Sequence, residues 1–318
     1  MRILFVSDLH GSTLVLEKAV EAAHAFSADT LLVGGDVSGK RLVPILDRGS
    51  STWTVCEPYK QKDDSGKSTD VSTLETVASD ELSLYLSRLE AKGYYWHKVT
   101  EEELISLNES PARSEDIFQE KIYERLCSWA DYVSANLPKA SSCYWTGGND
   151  DDGGMLSRLG AKDLGRFQYA EGAVVPLREY ELLSIGYSNP TPFYTSRELP
   201  EPALLAKLES LVRLAQTSDR LILNVHVPPY NCGHLDLCLD PDNPTESIHV
   251  GSTAVRNFIE NTQPIADFVG HVHEGKGTSR IGRTYVFNPG SEYNAGVLHG
   301  VVVDVKHAKV KDYLHFTR

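Results

Sequence analysis

Cysteine is scarce in this chain: five residues in 318 (Cys56, Cys127, Cys143, Cys232 and Cys238), an odd number with no paired C-x-x-C spacing. That pattern excludes a disulfide framework and a zinc-finger type site, and it fits unpaired thiols in a reducing compartment. Cys232 and Cys238 are near enough in sequence to share a metal, but isolated thiols are the expected reading. Positive charge is also short, with 31 Lys and Arg against 44 Asp and Glu, a formal charge of −13 and a pI near 5.3. An acidic chain has no long-range attraction for phosphate backbones or anionic membranes, so a dedicated nucleic-acid module and a membrane partner are not expected. Long apolar runs are missing too. None approaches the ~20 residues needed to span a bilayer, and Ile3 to Val6 runs into Ser7-Asp8 too early to serve as a secretory signal. A cytoplasmic protein is expected. No internal repeat is seen.

What is present is a hydrophobic fraction of 41%, enough for a substantial core. Residues 2–46 read as strand, helix, strand, with apolar runs at Ile3–Val6 and Leu31–Val33 around a helical pattern from Leu14 to Phe26. Such a βαβ opening predicts a parallel sheet flanked by helices. Beyond Arg48 the character changes. Cys56 to Thr73 is polar and reads as a surface excursion, Leu74 to Ala91 precedes a helix-stopping Gly93, and Tyr94-Tyr95-Trp96 forms a short strand-like run. Thr100-Glu101-Glu102-Glu103 has the form of a capping box. A further helix is predicted from Ser114, with Ile122, Leu126, Trp129, Ala130, Val133 and Leu137 on one face until Pro138. Residues 47–139 are therefore expected to be a mostly helical insertion, a lid or side wall to the site, between core segments 1–46 and 140–318. From Cys143 the strand rhythm resumes, with apolar runs at 180–185, 221–225, 266–269, 284–287 and 301–305. Helical patterns occupy 203–215 and 253–261, and closely spaced final runs suggest antiparallel pairing near the C-terminus.

Five short polar groups each stand directly after an apolar strand candidate: Asp8-Leu9-His10, Gly35-Asp36, Gly148-Asn149-Asp150-Asp151, His226, and Gly270-His271-Val272-His273. Strands running the same way deliver such groups to one edge of a sheet, where ligands of α/β proteins bind. Carboxylate, amide and imidazole donors suit divalent metals of intermediate softness. Seven donors exceed one tetrahedral shell and suit a pair of ions sharing a carboxylate. Two such ions bring four positive charges against the two of Asp8 and Asp36, leaving a locally positive pocket that attracts phosphate.

In this ordered set the chain resembles the calcineurin-like metallophosphoesterases, whose pattern is Asp-x-His, Gly-Asp, Gly-Asn-His-Asp/Glu, a lone His and Gly-His-x-His. His226-Val227-Pro228-Pro229-Tyr230 and Asn288-Pro289-Gly290-Ser291 are similar to the small prokaryotic members. The resemblance covers residues 1–46 and about 143–318. It implies an α/β fold, a four-layer αββα sandwich of two mixed sheets flanked by helices. It further implies two divalent metal ions, manganese first, with iron, zinc, magnesium or nickel as alternatives. Asp8, His10 and His273 would hold one ion, Asn149, His226 and His271 the other, and Asp36 would bridge them. The implied reaction is hydrolysis of a phosphodiester or phosphomonoester by a metal-bridging hydroxide, with Asp36, Asn149, Asp150 and His226 as catalytic residues and a small phosphate ester as substrate.

One departure stands out. The family's histidine after Asn is here Asp150, which either acts as an acid with a proton held in a low-dielectric site or turns away to bond the loop. His234 is an alternative donor. Lys40 and Arg41 can meet a phosphate but are left unassigned; His249 and Asp236 can shape the pocket, and His24, His97, His299, His307 and His315 read as structural or surface residues. Two rival functions stay open: a nucleotide pyrophosphohydrolase with the insertion as base-holding cap, and a non-catalytic metal-binding scaffold. The oligomeric state is not legible.

Overall fold

The structure, a computed structural model, describes residues 1–49, 51–62, 68–240, 243 and 245–318, with only the backbone course between 56 and 74. The chain opens with β1 (Arg2–Val6), α1 (Thr13–Ala25), β2 (Thr30–Val33), β3 (Leu42–Asp47), β4 (Thr52–Lys62) and β5 (Ser68–Ala78). It continues with α2 (Ser79–Ala91), β6 (Tyr95–Val99), α3 (Glu101–Glu109), α4 (Pro111–Asn136), β7 (Ser142–Trp145), α5 (Gly153–Gly160), β8 (Phe167–Tyr169), β9 (Val174–Leu177) and β10 (Tyr180–Ile185). The remainder is α6 (Glu201–Val212), β11 (Leu221–Val225), β12 (Leu237–Leu239), β13 (Ser247–His249), α7 (Thr253–Thr262), β14 (Ala266–Phe268), β15 (Gly277–Ile281), β16 (Thr284–Asn288), β17 (His299–Lys306) and β18 (Lys309–Thr317).

Two six-stranded mixed sheets form the centre, in the orders β18-β17-β1-β2-β7-β8 and β15-β16-β14-β11-β10-β9. Parallel pairing joins β1, β2 and β7 in the first and β10, β11 and β14 in the second, while β17–β18 and β15–β16 are antiparallel. Strand alternation explains the layering. Ile3 and Phe5 of β1 meet Leu182, Ile222 and Phe268 between the sheets, and the rings of Phe5 and Phe268 lie 5.0 Å apart. Leu4 and Val6 face the other way, onto Leu16 and Ala19 of α1, Trp129 and Val133 of α4 and Leu156 of α5. On the far side, Leu204 and Leu208 of α6 and Phe258 and Ile259 of α7 cover Leu223 and Val225. Each such side chain contributes about 1.5–3 kcal/mol by leaving water. The result is the four-layer αββα sandwich.

Within 47–139, helices are the largest component, with one addition. A separate four-stranded sheet, β5-β4-β3-β6, packs through Val43, Ile45, Val55 and Val77 onto Leu82 and Leu89 of α2. The polar stretch 56–73, expected to be a surface excursion, runs through the β4–β5 pairing, and Leu74 to Ala78, expected ahead of or within a helix, belong to β5. Thr and Val recur through residues 69–77, and β-branched residues favour a strand even where the composition is polar. The helix expected from Ser114 begins at Pro111, because Ser110 accepts a bond from Arg113 N and proline suits a first turn. Packing sets α4 in the outer helical layer of the core, where Trp129 Nε1 donates to Thr13 Oγ1 at 3.0 Å. Among the described residues no helix is long and apolar enough to cross a membrane.

Candidate metal centre

The five polar groups emerge at the carboxyl ends of parallel strands, but from both sheets. Asp8 and His10 follow β1, Asp36 follows β2 and Asn149 follows β7, whereas His226 follows β11 and His271 and His273 follow β14. The single sheet edge expected from the sequence is thus a seam between two sheets. Backbone bonds align the strand ends within each sheet, Asp8 N to Gly35 O (3.0 Å) and His10 N to Asp36 O (2.8 Å) in one and Gly270 N to His226 O (2.9 Å) in the other, and His226 Nδ1 to Gly34 O (2.8 Å) and His271 N to Asp8 Oδ1 (3.1 Å) cross the seam. Four candidate ligands, Asp8, His10, Asp36 and His271, sit at positive φ of 42–66°. Non-glycine residues rarely adopt that region, and clusters of them mark functional sites. Gly148 is needed for a different reason: a Cβ there would lie 2.0 Å from Asp36 Oδ1.

The seven side chains form one continuous cluster. His10 Nε2 and His273 Nε2 are 3.2 Å apart, and Asp8 Oδ1 lies 3.4 Å from His273 Nε2. Asp36 Oδ2 lies 3.6 Å from His10 Nε2 and 3.5 Å from His226 Nε2, so one oxygen faces both halves. Asn149 Oδ1 lies 3.0 Å from His226 Nε2 and 2.7 Å from His271 Nδ1. Tautomers sharpen the picture. His226 Nδ1 donates to Gly34 O at 2.8 Å, which turns Nε2 toward Asn149 Oδ1 and Asp36 Oδ2 and leaves it, in the neutral ring, as the nitrogen that can take a metal. Nitrogen and oxygen donors so close together are satisfied either by protons on the rings or by a bound cation. His10, Asp8 and His273 can hold one, as can Asp8, Asp36 and His226, and His10, Asp36 and Asp150.

The buried carboxylates set the electrostatics of the cluster. Burial alone would lower His226, but the Asp36 carboxylate outweighs it and raises the ring to about 9. Burial pushes His10 down to about 3, and burial with the charge of His226 pushes His271 down to about 4. Asp36 is held well below the usual carboxylate range, its burial outweighed by His226, and Asp8 is likewise lowered against its burial by His273 and His226. The carboxylates are ionised and the pocket draws in positive charge.

Residues without an assigned role in the sequence reading complete the site. Asp151 is buried and accepts bonds from Val37 N (3.1 Å), Ser38 N (2.8 Å), Gly148 N (2.8 Å) and the Ser38 hydroxyl, pinning the Asp36 and Asn149 loops together. Its place in the Gly148-to-Asp151 motif is the signal that marked it. Asn149 Nδ2 donates to Thr195 Oγ1 at 2.9 Å, which no motif announced. Asn288 Nδ2 donates to Val272 O (3.0 Å) and Gly270 O (3.3 Å), bracing the His271–His273 turn. Asp150 forms an ion pair with Lys40; burial and Asp36 hold its carboxyl above the usual range, with Lys40 acting in the opposite sense. His234 instead approaches Lys276 O at 2.9 Å, and Asp236 is buried away from the cluster, holding His249 Nδ1 (2.9 Å) and the amides of Asn231 and Cys232. Cys127, Cys143, Cys232 and Cys238 are free thiols.

Outside the donors opens a cavity of about 880 Å³. Its walls include Lys40 and Asp150, Glu115, Phe118 and Gln119 of α4, and Phe193 and Thr195 of the loop before α6. The segment 47–139 therefore supplies one wall through α4.

No family model matches the chain. An uncharacterized protein of Methanocaldococcus jannaschii is 30% identical over 171 residues, 53% of this chain and 69% of that protein. A solved structure of a Thermus thermophilus protein aligns with a TM-score of 0.50 at 16% identity, covering 98% of this chain and 96% of the other. A further crystal structure aligns with a TM-score of 0.55 at 17% identity over 98% and 97% of the two chains. The chain belongs to the family of the M. jannaschii protein, and it has the four-layer fold that its resemblance to the calcineurin-like metallophosphoesterases implied.

Proposed function

We propose that this protein is a dinuclear metal-dependent phosphoesterase acting on a small phosphodiester or phosphomonoester. The observation that carries this reading is the convergence of carboxylate, amide and imidazole donors on one seam, with Asp36 Oδ2 between His10 Nε2 and His226 Nε2 and Asn149 Oδ1 beside His226 Nε2 and His271 Nδ1. Asp8, His10 and His273 would hold one ion, Asn149, His226 and His271 the second, with Asp36 facing both. Two divalent ions, when bound, supply Lewis-acid charge and an activated water for attack on phosphorus; manganese suits this donor set, as do iron, zinc, magnesium and nickel.

The chain's own residues do the positioning. Gly34 O fixes the His226 tautomer, and His271 N donates to both oxygens of Asp8 (3.1 and 3.2 Å). Asp151 holds the β2 and β7 loops at fixed separation, so the site is organised before substrate arrives. An acidic surface keeps polyanions away, which favours small esters over nucleic acid.

A second reading, cleavage of a nucleotide anhydride, is favoured by Phe193, which lines the cavity yet is 82% exposed and offers a stacking face. The test is turnover of bis-p-nitrophenyl phosphate, p-nitrophenyl phosphate and a nucleoside diphosphate sugar with each metal. Mn²⁺-stimulated ester hydrolysis, abolished in a folded Asp36→Asn protein, is expected. Two tightly bound ions with no hydrolysis of any ester or anhydride would establish a scaffold instead.

A further inference from the structure

Lys40 lies one residue ahead of Arg41 and two ahead of β3, where the chain leaves the Asp36 turn for the small sheet. Its path there is tightly determined. Ser38 N is held by Asp151, and Gly39 N donates to Tyr95 Oη at 3.2 Å. A Cβ on Gly39 would stand 1.9 Å from Gly93 O, so the β6 end of the insertion presses directly on this turn. Arg125 of α4 donates to Gly11 O and Tyr94 O, both at 2.9 Å, and covers the Tyr95 ring. The insertion thereby fixes the backbone from which Lys40 projects.

The side chain of Lys40 turns back over the metal ligands. It lines the cavity and pairs with Asp150, whose N–H donates to Asp36 Oδ1 at 3.0 Å and whose Oδ1 accepts from Asn149 Nδ2 at 3.2 Å. Both Asp150 oxygens are thus engaged within the protein, one on Lys40 and one on a metal-ligating amide. An ammonium has three donors, and Lys40 is still 47% exposed on the cavity side of this pair. The surrounding charge gives it weight. Asp36, Glu115, Asp150, Asp152 and Glu274 line the same cavity, and among the described residues Lys40 is the only Lys or Arg that does. A phosphate oxygen turned away from the donor cluster has no other fixed cation to meet.

We propose that Lys40 binds a non-bridging phosphate oxygen of the substrate directly, and that Asp150 is the positioning residue that aims it. Asp150 therefore serves neither as a bare charge facing phosphate nor as a proton donor; it is a tether. This inference rests on the phosphoesterase reading, and the experiment separates the two. Metal content and the affinity for inorganic phosphate are measured by elemental analysis and calorimetry on the Mn²⁺-loaded full-length protein and on Lys40→Gln, Lys40→Arg and Asp150→Asn. Lys40→Gln, a half-exposed change, is expected to keep its metal and bind phosphate about ten- to a hundredfold more weakly, the loss typical of a charge-assisted bond. Lys40→Arg should recover most of that affinity. With bis-p-nitrophenyl phosphate, Lys40→Gln should raise KM, and Asp150→Asn, which releases the ammonium from its tether, should raise KM in the same direction by a smaller factor; a fall in kcat alone with KM unchanged in Asp150→Asn would make Asp150 a proton donor and overturn the tether. Wild-type phosphate affinity in metal-replete Lys40→Gln would overturn this inference alone. Failure of the unaltered protein to take up divalent ions would overturn the metal reading and this one with it.

Discussion

His10 Nε2 and His273 Nε2 face each other at 3.2 Å across the seam between the two sheets, with Tyr293 packed against both rings at 4.5 and 6.0 Å. Burial disfavours a proton on His10, which leaves its Nε2 able to share a cation with His273. His10→Ala and His273→Ala are each expected to lower bound divalent metal from about two ions to about one, and the double variant should lose no more than either single one. Elemental analysis after dialysis checks this; strictly additive loss would show that the two rings serve separate ions.

Asp151 offers a stability prediction of a different kind. Its carboxylate is the shared acceptor for three backbone amides and one hydroxyl. Asp151→Ala strands those buried donors, which is expected to cost about 3 kcal/mol or more in urea unfolding, at roughly 1–3 kcal/mol per stranded group. Arg197 donates to Gly148 O (2.7 Å) from the other side, so the loop retains one tie and the variant should fold while binding metal weakly.

Asp267 is wholly buried on β14, on the face away from Ala266 and Phe268, and burial pushes its carboxyl well above the ordinary 3.8. The sign follows from proton binding: above pH 3.8 the folded state holds a proton that the unfolded chain has released, so stability falls as pH rises. The slope is about 1.4 kcal/mol per pH unit for one group. Asp267→Asn should remove this slope and be the more stable protein at pH 7, with the advantage vanishing near pH 4. Parallel urea curves for the two proteins from pH 4 to 7 would count against it.

Much of this was legible because strand ends announce themselves. Asp8, Asp36, Asn149, His226 and His271 each follow a short apolar run, and parallel pairing converts that order into convergence. Three things were not legible. Whether the strands share one sheet depends on which edges pair, and the runs around β1 and β11 carry no mark of their separate sheets. The β4–β5 pair was hidden because polar composition outweighed β-branched content in a stretch with no apolar alternation. Lys40 was hidden for a third reason. A basic residue after a turn is usually solvated, and only the fold reveals that its neighbours in the cavity are carboxylates.

Gly93 ties the insertion to the donor cluster and gives the sharpest test of that coupling. It has φ +79°, and a Cβ there would lie 1.9 Å from His10 O, a backbone atom that cannot rotate away. Gly49 is the natural control, with φ +72° and nothing within 4 Å of its Cβ position. Both alanine variants incur the left-handed strain of about 1–2 kcal/mol, but only Gly93→Ala must displace the backbone that carries His10. Gly93→Ala is expected to weaken metal binding at the Asp8, His10 and His273 half by tenfold or more, because ligand geometry tolerates displacements of only about 0.5 Å. Gly49→Ala should bind metal as the unaltered protein does and show only the small stability loss. Equal metal affinity in the two variants would mean that the small sheet is carried by the core without constraining its chemistry.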